Sequence, residues 1–361
     1  MVLIGSVFAV LLLLGAPVAF AIGISGFMFF LTSDIMPLSI GVQRIATVSQ
    51  SFPLLAVPFF VLAGHLMNES GITERLFRFS HVAVAWMAGG LAQVSIILST
   101  LMGGVSGSAV ADAAMEARIL GPRMIGQGYS KGYSSAIIAL SSLITATIPP
   151  SIGLILYGYV GQVSIGRLFL AGIVPGILMM SFLMLAAYVV ARRRGYVVAE
   201  TRRPTLRELL DAAWKAKWAL LFPVLLLVSI RGGLFTPSEV GSFAVVYAIL
   251  VGGFAHGELT FEKGTLAFSR AVSDIGLIML IILMSGMIGF AITFLQLPQQ
   301  IAGFLLEGLS SPQLIVAVIL ISLFVAGLFF ESTILVLLLT PIFVPIIQRI
   351  GFDPVHFGIL M

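Results

Sequence analysis

The sequence predicts an all-α polytopic membrane protein, and three observations carry that prediction. Apolar runs of the length that crosses a bilayer, roughly 20 residues, recur along the 361-residue chain. Only 9% of the residues are charged, while 59% are hydrophobic. Several apolar runs are also interrupted by glycine or proline clusters where a plain span would continue. The runs are continuous rather than alternating, which excludes a β-barrel. With no cysteine, disulfides, thiolate metal sites and cysteine nucleophiles are ruled out. A net charge of +4 spread over few ionisable groups points to basic loops beside a lipid bilayer and to no nucleic-acid partner.

The elements follow in order. Val2–Leu31 is a first apolar segment, softly broken by Pro17 and several glycines. It lacks a basic leader and stays apolar past Phe30, so an uncleaved first helix is expected rather than a signal peptide. Thr32–Ser51 is more polar and includes Arg44; Pro53–Met67 is the next span. Ile72–Trp86 alternates Leu76, Phe77 and Val82 with Glu74, Arg75, Arg78 and His81 at helical spacing, which predicts an amphipathic helix in the interface plane. A hairpin over about 90–125 and a broken helix over about 133–160 complete a first membrane half, 1–191, whose last span is Leu168–Val190. Residues 192–217 hold eight of the nineteen basic residues and form a cytoplasmic linker. The second half, 218–361, has spans at Trp218–Ile230 and Val240–Phe254, an amphipathic stretch Phe261–Asp274, a span Ile275–Leu297, and a second hairpin over about 312–347.

Two breaks organise the first half. Gly103–Asp112, rich in glycine and serine, joins two apolar runs too short to cross alone, which predicts a re-entrant hairpin. Thr145–Ser151 contains Pro149-Pro150, which removes two backbone donors and frees the carbonyls they would have bonded. Irregular backbone at membrane depth survives only where protein buries it or where it lines a cavity. The two breaks are therefore expected to face one another and to bind ions and solute.

A 223-residue shift superposes Gly104 on Gly327, Pro122 on Pro345 and Gly128 on Gly351. Basic residues flank the first hairpin, whereas Glu307, Asp353 and a lone Arg349 flank the second, so the halves are expected to be inverted, with a transport site at their interface. The same shift carries Thr147–Ser151 past Met361, so the chain is expected to be C-terminally truncated and its second half incomplete.

Gly103–Asp112, Ala146–Ser151 with Gly153, and Gly327–Thr333 followed by Thr340-Pro341 together resemble the large membrane (M, DctM-like) subunit of tripartite ATP-independent periplasmic (TRAP) transporters, over essentially the whole chain. The resemblance implies a sodium-driven elevator importer of an organic acid, such as a C4-dicarboxylate or sialic acid. It further implies a periplasmic solute-binding (P) protein that delivers the solute and a small four-helix membrane (Q) subunit, in the bacterial inner membrane. Na⁺ is the coupling ion, and no other cofactor or metal is expected.

Individual residues keep two readings each. At the first tip, Ser106, Gly107 and Ser108 offer hydroxyls and half-helix carbonyls to a hard cation such as Na⁺, or they simply allow close helix packing. Thr145, Thr147, Ile148 and Pro149 form the opposite wall. Gly327, Glu331, Ser332 and Thr333 make a partial second sodium site, with Glu331 matched to Ser108. Asp112 is a ligand, proton carrier or gate, or a cap of the second half-helix. Ser151 and Arg231 are further substrate or gating candidates, as is Arg167, although arginines at span ends commonly reach for headgroups. Glu116 is expected at the rim, paired with Arg118 or Lys131, and His65 as a packed polar residue.

No nucleotide-binding glycine loop is present, which leaves ion gradients as the energy source. The rival function is a receptor-independent, ion-coupled dicarboxylate or anion carrier of related elevator architecture. An enzyme is not expected: four scattered histidines and no HExxH leave no catalytic metal constellation.

Overall fold

The first apolar segment is two helices rather than one softly kinked span. α1 (Val2–Leu13) and α2 (Val18–Leu31) pack against each other, because Gly15 turns the chain at φ +78° and Pro17 supplies no amide hydrogen to carry a helix through. The computed structural model describes residues 2–196, 202–308 and 311–361, and among them every regular element is helical. Residues 197–201 of the predicted basic linker lie outside the described residues.

α3 (Leu38–Ser49) precedes a 3₁₀ turn (Phe52–Leu55) that runs into α4 (Ala56–Glu69). α5 (Ile72–Val84) buries Ile72, Leu76, Phe77 and Val84 and exposes Glu74 and Arg78, as its periodicity predicts. The first hairpin is α6 (Gly90–Gly103) and α7 (Ala109–Ile119), followed by the short α8 (Gly121–Gly126). α9 (Lys131–Thr147) and α10 (Ile152–Val160) meet at the Pro-Pro break with a 48° bend. α11 (Ile165–Arg194) follows, then α12 (Leu206–Lys215) and α13 (Lys217–Arg231), bent by 68°, and α14 (Pro237–Leu250).

The predicted boundary at Asp274 is absent. α15 (Phe261–Phe294) is one helix of 34 residues, about 50 Å long and well beyond the roughly 30 Å of a hydrocarbon core. Nothing between Asp274 and Ile275 removes a donor or demands a left-handed residue, so the charged end simply continues the apolar one. After it come α16 (Leu297–Gly308), α17 (Pro312–Gly327), α18 (Ser332–Arg349) and α19 (Pro354–Leu360). Among the described residues, five helices are long and apolar enough to cross a membrane, or up to seven if each bent pair counts as one.

The 223-residue repeat extends to element ends. α7 begins at Ala109 and α18 at Ser332; α9 begins at Lys131 and α19 at Pro354. Ser130 accepts from the Tyr133 amide, and its counterpart Asp353 accepts from that of His356. Gly128 and Gly351 both adopt positive φ, 84° and 74°. The amphipathic counterpart of α5 is α16, not the Phe261–Asp274 stretch.

By packing, the chain forms two compact units. One holds Met1–Leu55, Ile155–Ile165 and Val272–Met361; its core includes Ile22, Ile288, Ile292 and Ile334, and Gly26 leaves room for Met287. The other holds Ala56–Leu154 and Gly166–Ala271. There α4 lies against α14, where Gly241 admits Phe59, and α6 and α7 both pack on α9. Each unit contains one hairpin.

Candidate functional site

The first tip is built by close approach of main chain. Gly107 adopts φ +62°, a left-handed conformation that glycine accepts without strain. A Cβ there would overlap the carbonyl oxygen of Pro150, so the hairpin tip does rest on the Pro-Pro break. The Ile152 amide donates to Gly107 O at 3.5 Å, a weak bond that marks the same contact. Gly103 lies on Ile148, 2.8 Å from an added Cβ to Ile148 Cβ, and Gly104 lies against Pro223 of α13. Gly64 of α4 approaches from another side, 3.5 Å from Ser106 Cα.

On the facing wall, α9 ends at Thr147, and Ile148 is extended with ψ 131°. In a continuing helix the carbonyls of Thr145 and Ala146 would accept from residues 149 and 150. Both are prolines without an amide hydrogen, so these carbonyls are released from the helix ladder.

The side chains divide into those at the tip and those turned away. Ser106 is half-buried, with Oγ 3.4 Å from Met102 O. Ser108 is the N-cap of α7, its Oγ accepting from the Ala111 amide at 3.4 Å, so Asp112 is not that cap. Ser151 is 1% exposed, and its Oγ accepts from the Leu154 amide at 3.3 Å at the start of α10. Thr147 donates back to Leu143 O at 3.0 Å and lies near Met179, with its hydroxyl off the tip. Arg231 is exposed at the end of α13, eight residues and so about 12 Å along the axis from Pro223.

At the second tip, in the other unit, Gly327 ends α17. Glu331 precedes α18 and is exposed; its Oε1 accepts from Thr333 Oγ1 at 2.7 Å and from Ser332 Oγ at 3.3 Å.

Glu116 is not at the rim. It is fully buried, and Oε1 accepts from Ser99 at 3.0 Å, while Oε2 faces Ser95 and Ser141. Four residues separate it from Asp112, which puts both carboxyls on the face of α7 that meets α6 and α9, whereas Arg118, two residues further, points out. Asp112, 1% exposed, accepts from Ser99 at 2.6 Å and from Thr145 at 2.7 Å. Thr145 also donates to Ser99 O at 2.8 Å. Sequence reasoning missed Ser95, Ser99 and Ser141. Their signal was three polar pairs, each at i,i+4 spacing on its helix: Ser95/Ser99, Asp112/Glu116 and Ser141/Thr145.

The other unit contains a cavity of about 530 Å³ whose polar lining includes Arg44, Thr47, Gln162, Ser285 and Thr293. The Arg44 guanidinium lies 4.3 Å over the Phe290 ring centre. No group of three or more metal-ligating side chains occurs among the described residues.

A family model described as "Tripartite ATP-independent periplasmic transporter, DctM component" matches residues 6–361. The sialic acid TRAP transporter large permease of Vibrio cholerae is 35% identical over 360 residues, covering 99% of this chain and 84% of that protein. The C4-dicarboxylate TRAP transporter large permease of Pseudomonas aeruginosa is 34% identical, covering 94% and 79%. An isethionate TRAP transporter permease of Oleidesulfovibrio alaskensis is 35% identical over 98% of this chain, which spans 56% of that relative. With these matches and its bilayer-length helices, the chain is a multi-pass inner-membrane protein and belongs to the family of large permease components of TRAP transporters.

Proposed function

We propose that this permease imports an organic acid, a C4-dicarboxylate, sialic acid or a similar carboxylate, against its gradient by coupling to Na⁺. A periplasmic solute-binding protein delivers the solute, and a small membrane subunit completes the permease. The observation that carries the reading is the contact of Gly107 with Pro150, beside carbonyls that two prolines deprive of donors. Bare peptide oxygens and nearby hydroxyls are the ligands a hard monovalent cation takes, and a solute anion gains from the charge so placed. Ser106, Gly107, Ser108, Thr145, Thr147, Ile148 and Pro149 contribute the first site chiefly through main chain, and Gly327, Glu331, Ser332 and Thr333 contribute to a second. Asp112, Ser151 and Arg231 act on the substrate or in gating. Arg44 supports the acidic solute, because its guanidinium keeps its charge at this cavity, whereas Thr47, Ser285 and Thr293 donate back to carbonyls of their own helices. Transport proceeds as an elevator, one body carrying the site across while the other stays fixed.

The test is uptake into proteoliposomes that hold the permease with its small subunit, with purified receptor supplied outside. Replacing Na⁺ by K⁺ or choline abolishes concentrative uptake if the reading is right. Full-rate uptake of free solute without any receptor would instead identify a receptor-independent carrier. Undiminished flux without Na⁺ would identify a channel or a different driving ion.

A further inference from the structure

Three tryptophans occur in the chain, and all of them stand around α12, each with a cation over its ring. Arg203, just ahead of the helix, places Cζ 4.8 Å from the Trp86 ring centre. Lys217, just past its end, places Nζ 3.9 Å from the Trp214 ring centre and 5.4 Å from that of Trp218. Thr205 and Glu208 fix the start of α12 with a capping box. The tip site and the Arg44 cavity use none of these residues.

A helix of 3.6 residues per turn sorts this sequence into three faces, each about a third of the circumference. Leu209 and Ala212, with the C-cap Ala216, are turned to the protein, where α12 packs on α5. Glu208, Asp211 and Lys215 share a second face, polar and exposed. Leu206, Leu210 and Trp214 make the third, and they are 71%, 60% and 69% exposed. Three large apolar side chains left to water side by side are costly. A helix divided among protein, water and an apolar phase belongs where all three meet, at a membrane surface. The 68° bend fits this, because a helix at that angle to the apolar α13 lies near the bilayer plane when α13 crosses.

Charge decides which lipid suits the face. Residues 202–217 hold five basic residues against two acidic ones. Both acids already have a cation: Asp211 pairs with Lys215 at 2.6 Å, and Glu208 with Arg202 at 3.6 Å. Arg203, Arg207 and Lys217 have no ion-pair partner among the described residues. Arg207 lies two turns from Trp214 on the same side of the helix, so cations border the apolar stripe at both ends. A cation over an aromatic face still has its N–H hydrogens to donate, and phosphate oxygens are what they suit.

We propose that α12 is a surface anchor that binds anionic phospholipid in the leaflet on which it rests. Leu206, Leu210 and Trp214 enter the acyl boundary, and Arg203, Arg207 and Lys217 take the headgroup phosphates. The site lies within one unit, apart from the tip, and stands whatever the transported solute or driving ion.

Tryptophan fluorescence of the whole permease chain in bilayers tests this, since every tryptophan reports from this one place. Phosphatidylcholine bilayers carry a minor fraction of phosphatidylglycerol, and bromine, a contact quencher, is placed on the acyl chains of one lipid or the other. Quenching per brominated lipid is expected to be at least about fivefold stronger with phosphatidylglycerol, the preference that a single basic residue confers at such a surface. Arg203→Gln/Arg207→Gln should bring that preference toward parity, while quenching by brominated phosphatidylcholine persists and shows the helix still seated. Trp214→Phe should remove the largest share of the quenched emission, because Trp86 and Trp218 are half-buried. Equal quenching by the two lipids in the parent, an undiminished preference in the double variant, or full quenching in Trp214→Phe each overturns the proposal. Loss of quenching on adding a tryptophan-free small subunit overturns it too, by giving the face to that protein.

Discussion

Gly107→Ala puts the tip contact under direct stress. Alanine at φ +62° carries a left-handed penalty of about 1–2 kcal/mol, and its Cβ overlaps Pro150 O, so the tip and the Pro-Pro break must also part. The backbone penalty alone corresponds to roughly a 5–30-fold change in an equilibrium. If released carbonyls on both sides of this contact hold Na⁺, the Na⁺ concentration giving half-maximal receptor-dependent uptake rises at least about fivefold. Thermal unfolding of the purified permease, followed in parallel, separates weakened ion binding from general loss of fold. Gly64→Ala is the control, because its Cβ would meet Ser106 Cα at an ordinary 3.5 Å and its backbone is helical, so a stabilisation of about 0.5–1 kcal/mol with parental Na⁺ dependence is expected. A Gly107→Ala permease with parental Na⁺ dependence and parental melting would refute the claim that this contact shapes the ion site.

Other expectations follow from the same geometry. Gly103→Ala, whose Cβ would stand 2.8 Å from Ile148 Cβ, should lower the melting temperature; Ile148→Ala should restore part of the loss, with a coupling of about 0.5–3 kcal/mol in a double-mutant cycle. Ser99→Ala removes the hydroxyl shared by Asp112 and Glu116 and should cost about 1–3 kcal/mol in denaturation, whereas Ser106→Ala, with its weak 3.4 Å bond to Met102 O, should cost less than about 1 kcal/mol. Arg44→Gln should raise the solute concentration for half-maximal uptake by about tenfold or more, the order expected for a lost charged hydrogen bond, and leave melting near the parental value.

The amphipathic α5, the hairpin and the Pro-Pro break were legible because each depends on local chemistry: helical periodicity, glycine at a turn, and prolines that cannot donate. The repeat was legible through three residues, but element ends such as Ser130 and Asp353 declare it more fully, since both cap a helix by the same bond with different side chains. The merger of Phe261–Asp274 with the following span was not legible, because charge content speaks of solvent and says nothing about where a helix stops. Nor was the full division of the first apolar segment into α1 and α2: Pro17 marked a soft break, but the left-handed turn at Gly15 that makes it complete is a backbone state that glycine permits and does not require. Glu116 was misplaced because isolated acids are rare inside apolar helices, and a rim arginine nearby offered a simpler partner. Its true partners come from helices 21 and 25 residues away in sequence, a distance no local pattern reaches.

The glycines of the first tip also constrain how it can work as a machine. Gly103 abuts Ile148, Gly104 abuts Pro223, and Gly107 abuts Pro150, so the tip has no free clearance on any of three sides. If the tip moves in transport as proposed, it has only two ways to travel: it carries α9 and α13 along as a single block, or it unseats from Pro150 first. Cross-links between these elements would therefore be harmless in a block that rides together, and would jam a latch that must lift.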